Sequence, residues 1–194
     1  LPAVVVGGGL TAIDTATESL AYYPLQVEKF LQRYETLMHE SGEAAARLAW
    51  NDEERVIADE FLDHARALRA ERSAAQSAGR EPRILELLQA WGGVTVAYRR
   101  RLVDSPSYTL NHEEVQKAFE EGVRFAEGLT PAAIEIDEYG HARGIRMTRQ
   151  QLGADGKWNA DGAIELPAKS ILIAAGTQPN TVLAREDAAH FALD

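Results

Sequence analysis

The chain opens on an unbroken apolar run, Ala3-Val4-Val5-Val6, which gives way to Gly7-Gly8-Gly9. β-Branched residues without polar alternation mark a strand covered on both faces, as in a parallel sheet. From Leu10 to about Tyr22 a helix is expected. Pro24 should end or kink it, because proline lacks an N–H and crowds the preceding turn. Residues 25–91 then carry helical patterns. Val27, Phe30, Leu31, Tyr34, Leu37 and Met38 form one stripe at spacings of three and four, with Gly42 as a stop. A second helix is expected from about Asp52 to Arg72, with Ile57, Phe61, Ala65 and Leu68 facing inward. Asn51 or Asp52 can cap it, and Glu53 and Glu54 suit its positive end. Ser73 to Gly79 is small and polar and reads as a loop. Pro82 opens a third helix, with Ile84, Leu87, Leu88 and Trp91 on one face, and Gly92-Gly93 closes it.

Val94 to Tyr98 is the next strand. After a loop with Pro106, Asn111 and Glu114 have the spacing of a capping box for a helix that ends near Gly122. Val123-Arg124-Phe125 is a short strand. Ile134 and Ile136 alternate with Glu135 and Asp137, Tyr139-Gly140 makes a turn, and Ile145 and Met147 alternate again, as in a hairpin. Gly153 to Gly162 reads as a polar loop, and Ala163 to Leu166 as a third strand. Ser170 to Ala175 is another buried apolar strand, ending at Gly176. Without residues 23–91, this order is a βαβαβ dinucleotide fold with a meander crossover. The expected fold class is therefore α/β: a Rossmann-like three-layer domain with a parallel sheet and a β-meander crossover, plus an inserted helical hairpin or small bundle. The whole of residues 1–194 is read as one nucleotide-binding domain with its helical insertion at 23–91.

Composition narrows the function. The 194 residues are 45% hydrophobic, enough for one core, or for one core with an appendage. No run of 18 apolar residues is present, so no membrane span is expected. The opening run is too short and glycine-rich for a signal peptide. The chain starts almost inside a strand, without Met, which leads to the expectation of a piece cut from a longer protein. With no cysteine, the chain excludes a disulfide framework, a Cys-ligated iron–sulfur site and a redox dithiol within itself, and it fits a cytoplasmic location. A net charge of −10 argues against nucleic acid as a partner. Against that background Arg99-Arg100-Arg101 stands out.

Gly7, Gly9 and Ala12 match GxGxxA. The first glycine permits the tight turn, the second lets backbone approach a pyrophosphate, and the small third residue lets helix and strand pack closely. The free N–H groups at the helix start attract phosphate. The pattern follows a strand and opens a helix, which is the context that gives it weight. The glycines alone fit FAD and a nicotinamide nucleotide equally well, and a turn with no ligand would also satisfy them. The end of the second strand discriminates. An acid there accepts from the ribose 2′-OH, whereas an arginine accommodates a 2′-phosphate. Arg99 and Arg100 occupy that point, and guanidinium forks pair well with phosphate oxygens. One of them can also stack on adenine.

Together these residues resemble the pyridine-nucleotide domain of glutamate synthase small-subunit-like FAD oxidoreductases, with the corresponding domain of dihydropyrimidine dehydrogenase as a second relative. The family pattern VxGGGDTAxD is met by Val4 to Asp14, and its YRR strand end by Tyr98-Arg99-Arg100. Its EEV…A…EEGV helix is met by Glu113-Glu114-Val115, Ala118 and Glu120-Glu121-Gly122-Val123. Gly156-Lys157-Trp158-Asn159 is similar to a meander loop of the dehydrogenase. Ile173 to Asn180 resembles the family's VAxGxxPN. The likeness covers most of residues 1–22 and 93–181. It implies that NADP(H), or NAD, binds here and delivers hydride to FAD held by a domain of the same polypeptide outside this chain. By that resemblance Gly7, Gly8, Gly9, Leu10, Thr11, Ala12 and Ile13 approach the pyrophosphate. Tyr98, Arg99 and Arg100 form the 2′-phosphate end, and Ala174, Ala175 and Gly176 line the nucleotide. There are two departures. Leu10 stands where the family carries Asp, so any role of that carboxylate is lost or altered. The family's further arginine after YRR has only Arg101 as a substitute.

The insertion has no family counterpart, and it reads as a cover for a domain edge or as a docking surface for a partner subunit. In the docking reading the Rossmann core is a scaffold. Glu35 with His39, and Glu60 with His64, lie one turn apart, a spacing one residue longer than the Glu-x-x-His of carboxylate metal centres. Solvated helix faces explain both pairs more simply, and no metal is expected. His112 and His141 are expected at the surface, and no catalytic acid–base or nucleophile constellation is present. Hydride transfer needs mainly orientation and proximity.

Overall fold

A computed structural model describes residues 1–176, 182–187 and 190. Four strands form a parallel sheet: β1 (Ala3–Val6), β2 (Val94–Ala97), β3 (Arg124–Ala126) and β7 (Ser170–Ile173), in the order β3-β2-β1-β7. β1 sits in register with β2, Val5 against Val96, and with β7, Val5 against Leu172. Between β3 and β7 the chain makes an antiparallel meander, β4 (Leu129–Ile136), β5 (Ala142–Leu152) and β6 (Trp158–Pro167).

The apolar run of β1 is explained by its two covered faces. Ala3 and Val5 point into a cluster with Ala12, Ile13, Ala16 and Leu20 of α1 (Leu10–Ser41), Leu88 of α4 (Ile84–Ala90), and Val115 and Ala118 of α5 (Pro106–Glu120). Val4 and Val6 point the other way, onto Leu129, Ile145, Met147 and Ala168 of the meander side. Period-two alternation therefore divides one strand between two cores. The result is the expected three layers, helices, parallel sheet and meander. Each fully buried Val or Leu contributes roughly 1.5–3 kcal/mol through the water it leaves.

The helical insertion is present, but it begins inside α1. Pro24 was expected to end or kink the first helix, and the helix does not end there. α1 runs unbroken from Leu10 to Ser41 with Pro24 inside it, about 48 Å at 1.5 Å per residue. The lost hydrogen bond is outweighed by packing, since Leu20, Pro24, Val27, Leu31 and Tyr34 are all buried along one stripe. α3 (Asp52–Ala78) packs on that stripe through Leu62, Ala65 and Leu68. The short α2 (Glu43–Arg47) lies between them in sequence, and Phe30, Trp50 and Tyr34 stack in succession beside it. Gly42 terminates α1 as expected. Asn51 caps α3 in a full capping box, its side chain accepting from the Glu54 N–H while the Glu54 carboxylate accepts from the Asn51 N–H, both at 2.9 Å.

Several expectations are corrected. Ser73 to Gly79 is helix up to Ala78, because Ala74 and Ala75 favour it and Ala75 is buried. The stop is Gly79 itself at φ 62°, where the Arg80 N–H reaches the Ala75 carbonyl at 3.0 Å. Ile57 faces solvent at 44% exposure and Ala58 takes the inward position there, while Ala65 and Leu68 are buried and Phe61 packs beside Leu62 as part of the expected stripe. α5 starts at Pro106, with Ser105 accepting from the Tyr108 N–H, and Asn111 marks a kink with non-helical φ −156° and ψ 78°. The Asn111 amide donates to Glu114 there rather than capping the helix. The segment from Gly153 to Gly162 is a tight turn only as far as Lys157, after which β6 begins. β7 ends at Ile173 and not at Ala175.

The insertion shares its core with the sheet domain. Tyr23, Ile84 and Trp91 pack against both the α1–sheet cluster and the α1–α3 cluster. Lys169 pairs with Glu60, and His141 Nε2 meets Glu53 at 2.7 Å, so α3 is also tied to the meander layer.

Candidate functional site

β1, β2 and β7 are neighbours in the sheet, so their carboxyl ends meet at one edge. This edge gathers the site residues expected from the sequence: Gly7 to Ile13 after β1, Tyr98 to Arg100 after β2, and Ala174 to Gly176 after β7. The Gly7 N–H donates to the Ala97 carbonyl at 3.1 Å, and the Ala174 N–H donates to the Val6 carbonyl at 2.8 Å. A Cβ on Gly7 would lie 2.8 Å from the Ala174 carbonyl carbon and 3.2 Å from the Ala12 Cβ, which no side chain tolerates. Gly7 and Ala12 are thus small for packing reasons that the structure makes explicit.

Gly9 differs from Gly7 in having open space where its Cβ would be. It is the residue before α1 and supplies no side-chain cap, and the first turn of α1 contains no acid. The N–H groups of Gly8, Gly9, Leu10 and Thr11 have no acceptor among the described residues. α3, by contrast, begins with a capping box and three acids. The start of α1 therefore presents unsatisfied donors and a partial positive charge, which suits an anion. Leu10 is half-buried, Thr11 exposed, and Ala12 and Ile13 buried.

The three arginines separate into two groups. Arg101 donates through Nε and Nη2 to the Asp104 carboxylate at 2.7 and 2.8 Å, and this holds the Asp104 carboxyl below its usual range. Asp104 belongs to a single turn, Leu102–Asp104, whose Leu102 N–H donates to Glu127 at 2.6 Å. Arg101, the substitute for the family's extra arginine, is thus engaged with Asp104 in this structure. Arg99 and Arg100 are exposed, and no side-chain hydrogen bond or ion pair holds either one among the described residues. Tyr98 is half-buried beside the glycine turn, its ring meeting Phe125 edge-on. Ala175 and Gly176 are exposed, and Ala174 is half-buried. The remainder of the VAxGxxPN likeness, Thr177 to Asn180, lies outside the described residues.

One contact could not be anticipated from the sequence. The Ser107 N–H, in the first turn of α5, donates to the Gly8 carbonyl at 2.9 Å. Ser105 and Ser107 are fully buried, with their hydroxyls 3.1 Å apart. The signal available in the sequence was Ser-Pro-Ser, a helix cap followed by proline, which locates a helix start but not its neighbour.

Three of the four residues in the Glu–His pairs have other partners. Glu35 receives both Nη groups of Arg69, at 2.7 and 3.0 Å, and Glu60 pairs with Lys169. His64 stacks on Trp91 with 3.8 Å between ring centres, and its Nδ1 lies 2.6 Å from the Tyr23 hydroxyl. No cluster of three or more acidic, His or Cys side chains fit to hold a metal exists among the described residues. His112 and His141 are exposed, and His141 is engaged with Glu53. Open concavities run along the outer face of α1, at Asp14, Thr15, Glu18, Ser19 and Tyr22, and between α1 and α5. Among the described residues no helix is long and apolar enough to cross a membrane.

No family model matches the chain. It is similar to the "Uncharacterized protein RP006" of Rickettsia prowazekii (strain Madrid E), 37% identical over 148 residues, which cover 76% of this chain and 18% of that one. It is also similar to the "Putative oxidoreductase AegA" of Escherichia coli (strain K12), 36% identical over 94 residues, 45% of this chain and 14% of the relative. The "Glutamate synthase [NADPH] small chain" of the same organism is 33% identical over 96 residues, 46% of this chain and 20% of the relative. The chain thus spans a fifth or less of the length of these relatives. Among solved structures it is similar to a ferredoxin reductase of the CYP199A2 system from Rhodopseudomonas palustris, at 14% identity and a TM-score of 0.39, covering 96% of this chain and 26% of that one.

Proposed function

We propose that this chain is the NADPH-holding domain of a multidomain FAD-dependent oxidoreductase. The observation that carries the proposal is the conjunction at one sheet edge of an uncapped helix start behind an open Gly9 and two unpaired guanidinium groups at the end of β2. The first fits a pyrophosphate and the second a 2′-phosphate. Sequence similarity to an oxidoreductase and to a glutamate synthase small chain whose name includes NADPH supports the reading.

In this reading the N–H groups of Gly8 to Thr11 hold the pyrophosphate. Arg99 and Arg100 hold the 2′-phosphate, and one can stack on adenine. Ala174 to Gly176 line the nucleotide along the end of β7. Bound NADPH supplies a hydride to the flavin. This chain's own residues fix the dinucleotide's position and keep its phosphate end charge-matched, while a flavin-bearing domain outside the chain would close the nicotinamide end. No proton-transfer residue is needed here, because transfer between nicotinamide and flavin rests on proximity and orientation.

The test is a calorimetric titration with NADPH, NADH and FAD. NADPH is expected to bind more tightly than NADH. Reversing Arg99 and Arg100 to Glu removes two charge-assisted contacts of about 1.5–3 kcal/mol each, a loss on the order of 100-fold or more for NADPH, and a far smaller loss for NADH, which shares only the adenine stacking. FAD binding with neither nicotinamide nucleotide would overturn the proposal. Equal losses for NADPH and NADH would remove the 2′-phosphate assignment.

A further inference from the structure

We infer that Tyr98 is a positioning residue that sets the shape of the glycine turn through its ring, and that it acts on the dinucleotide without needing to touch it. The inference rests on the nucleotide-binding reading above and adds to it how the pyrophosphate end and the arginine end are coupled.

Tyr98 is fixed before its side chain is considered. Its N–H donates to the Ala126 carbonyl and its carbonyl accepts from the Leu129 N–H, each at 2.9 Å, so its backbone is held between β3 and β4. Its ring meets Phe125 edge-on, with centres 6.3 Å apart and planes at 62°. From that position the ring occupies the space a Gly8 side chain would fill. A Cβ on Gly8 would lie 2.7 Å from the Tyr98 Cζ and nearer still to Cδ2 and Cε2. On the other side of the same peptide, the Gly8 carbonyl accepts from the Ser107 N–H. Gly8 is therefore clamped by an aromatic face and by a backbone donor from α5. Gly9, one residue on, is clear of everything within 4 Å.

Two consequences follow. The clamp holds the carbonyl of Gly8 on the Ser107 N–H of α5, next to the N–H groups of Gly8 to Thr11 that have no acceptor among the described residues. The basic loop is also anchored on the turn at both ends, because Arg99 to Arg101 lie between Tyr98 and the Ser105–Ser107 pair. Shifting the ring moves the donors that hold the pyrophosphate relative to the arginines that hold the 2′-phosphate. A ligand with only one of those groups does not sense the shift.

The experiment is a double-mutant cycle on the intact chain with Gly8→Ala and Tyr98→Ala, and with Tyr98→Phe as the conservative variant. Titrations use NADPH and adenosine 2′-monophosphate, which has no pyrophosphate, alongside thermal melts without ligand. Tyr98→Ala is expected to weaken NADPH about tenfold and leave adenosine 2′-monophosphate unchanged, while Tyr98→Phe behaves like the parent. Gly8→Ala is expected to weaken NADPH at least as much and to lower Tm. The double variant should recover part of both losses, since the smaller side chain admits the new Cβ. Additive losses, or equal weakening of both ligands by Tyr98→Ala, would overturn the inference. The melts separate it from the broader reading. Coupling in Tm without NADPH binding by the parent would refute the nucleotide assignment while leaving the clamp. NADPH binding with an additive cycle would refute the clamp alone.

Discussion

Replacing Leu62 by Ala tests whether the helical insertion is a separable module or part of the nucleotide domain's own core. Leu62 is fully buried against Val27, Leu31, Tyr34, Ala65 and Leu68. Removing its three terminal carbons costs about 2–5 kcal/mol, the range for buried Leu→Ala changes that leave a cavity. At roughly 2–4 °C per kcal/mol for a chain of this size, Tm should fall by about 4–20 °C. Where that loss is felt is the decisive point. Tyr23, Ile84 and Trp91 belong to both cores, so the loss should spread to the sheet. The surface ties Lys169–Glu60 and His141–Glu53 add little, because exposed ion pairs contribute about 0–1 kcal/mol. The assay is unfolding followed by tryptophan fluorescence, with Trp50 in the insertion and Trp158 in the meander, together with amide exchange of β1 and β2. If the cores are one cooperative unit, the slowest β1 and β2 amides lose about 30-fold or more of their protection, the equivalent of 2 kcal/mol at about 1.4 kcal/mol per factor of ten. An early insertion transition with unchanged exchange in β1 and β2 would refute the shared core and favour a docking module.

Two further outcomes are expected. Burial holds His64 below its ordinary pKa, assisted by the amino terminus and Lys169 and opposed by Glu60 and Asp63. Burial also keeps the neighbouring Tyr23 hydroxyl protonated by pushing its pKa up. The unfolded chain therefore takes up the His64 proton first, near pH 6.5. The stability from neutral His64 is complete above that value and is lost as pH falls through the lower folded pKa. Denaturant titrations from pH 7.5 to 5 should show this decline, and His64→Gln should flatten it; an unchanged slope would dismiss His64 as its source. Because Arg99 and Arg100 are solvent-exposed, raising NaCl from about 0.05 to 0.5 M should weaken NADPH much more than NADH by screening. Parallel salt dependence would mean that the 2′-phosphate does not meet these charges.

The sheet was legible because its strands carry their evidence locally. Ala3 to Val6 is apolar throughout and buried on both faces, Val94 to Ala97 departs from that only at Thr95, and Ser170 to Ile173 keeps an apolar run after Ser170 although β7 is half-buried or exposed along its length. Gly42 was readable for the same reason, and so was a cap at Asn51 or Asp52, of which the structure uses Asn51 together with Glu54. The failures occur where distant packing decides. Pro24 breaks an isolated helix, but here its ring lies in the stripe that α3 covers. Ser73 to Ala78 has the composition of a loop, but Ala75 packs in a core and Gly79 supplies the stop. Ile57 was placed inward by extending the stripe of Phe61, Ala65 and Leu68 back by one turn, where Ala58 takes the inward position instead. The Asn111–Glu114 spacing suggested a helix start, and a helical stretch does begin at Asn111, but it follows an earlier turn from Pro106 capped by Ser105, so the pair sits at a kink within α5.

The site divides along the same line. A glycine turn after a strand, and arginines after another, are local patterns, and the parallel order of β1, β2 and β7 brings them to one edge. Three consecutive arginines do not have one role, however. Arg101 has an acid three residues on and is bound by it, which leaves Arg99 and Arg100 as the charges available to a ligand. The middle glycine gives the same lesson more sharply. GxGxxA leaves its second position unspecified, and the family pattern VxGGGDTAxD carries a glycine there without giving the reason for it. The requirement comes from Tyr98, some ninety positions along the chain, whose ring takes the space of the missing side chain. The tyrosine of the YRR strand end and the middle glycine of the turn are thus two halves of one packing constraint. A change at either should be compensated by a change at the other, and neither needs to contact the cofactor for that to hold.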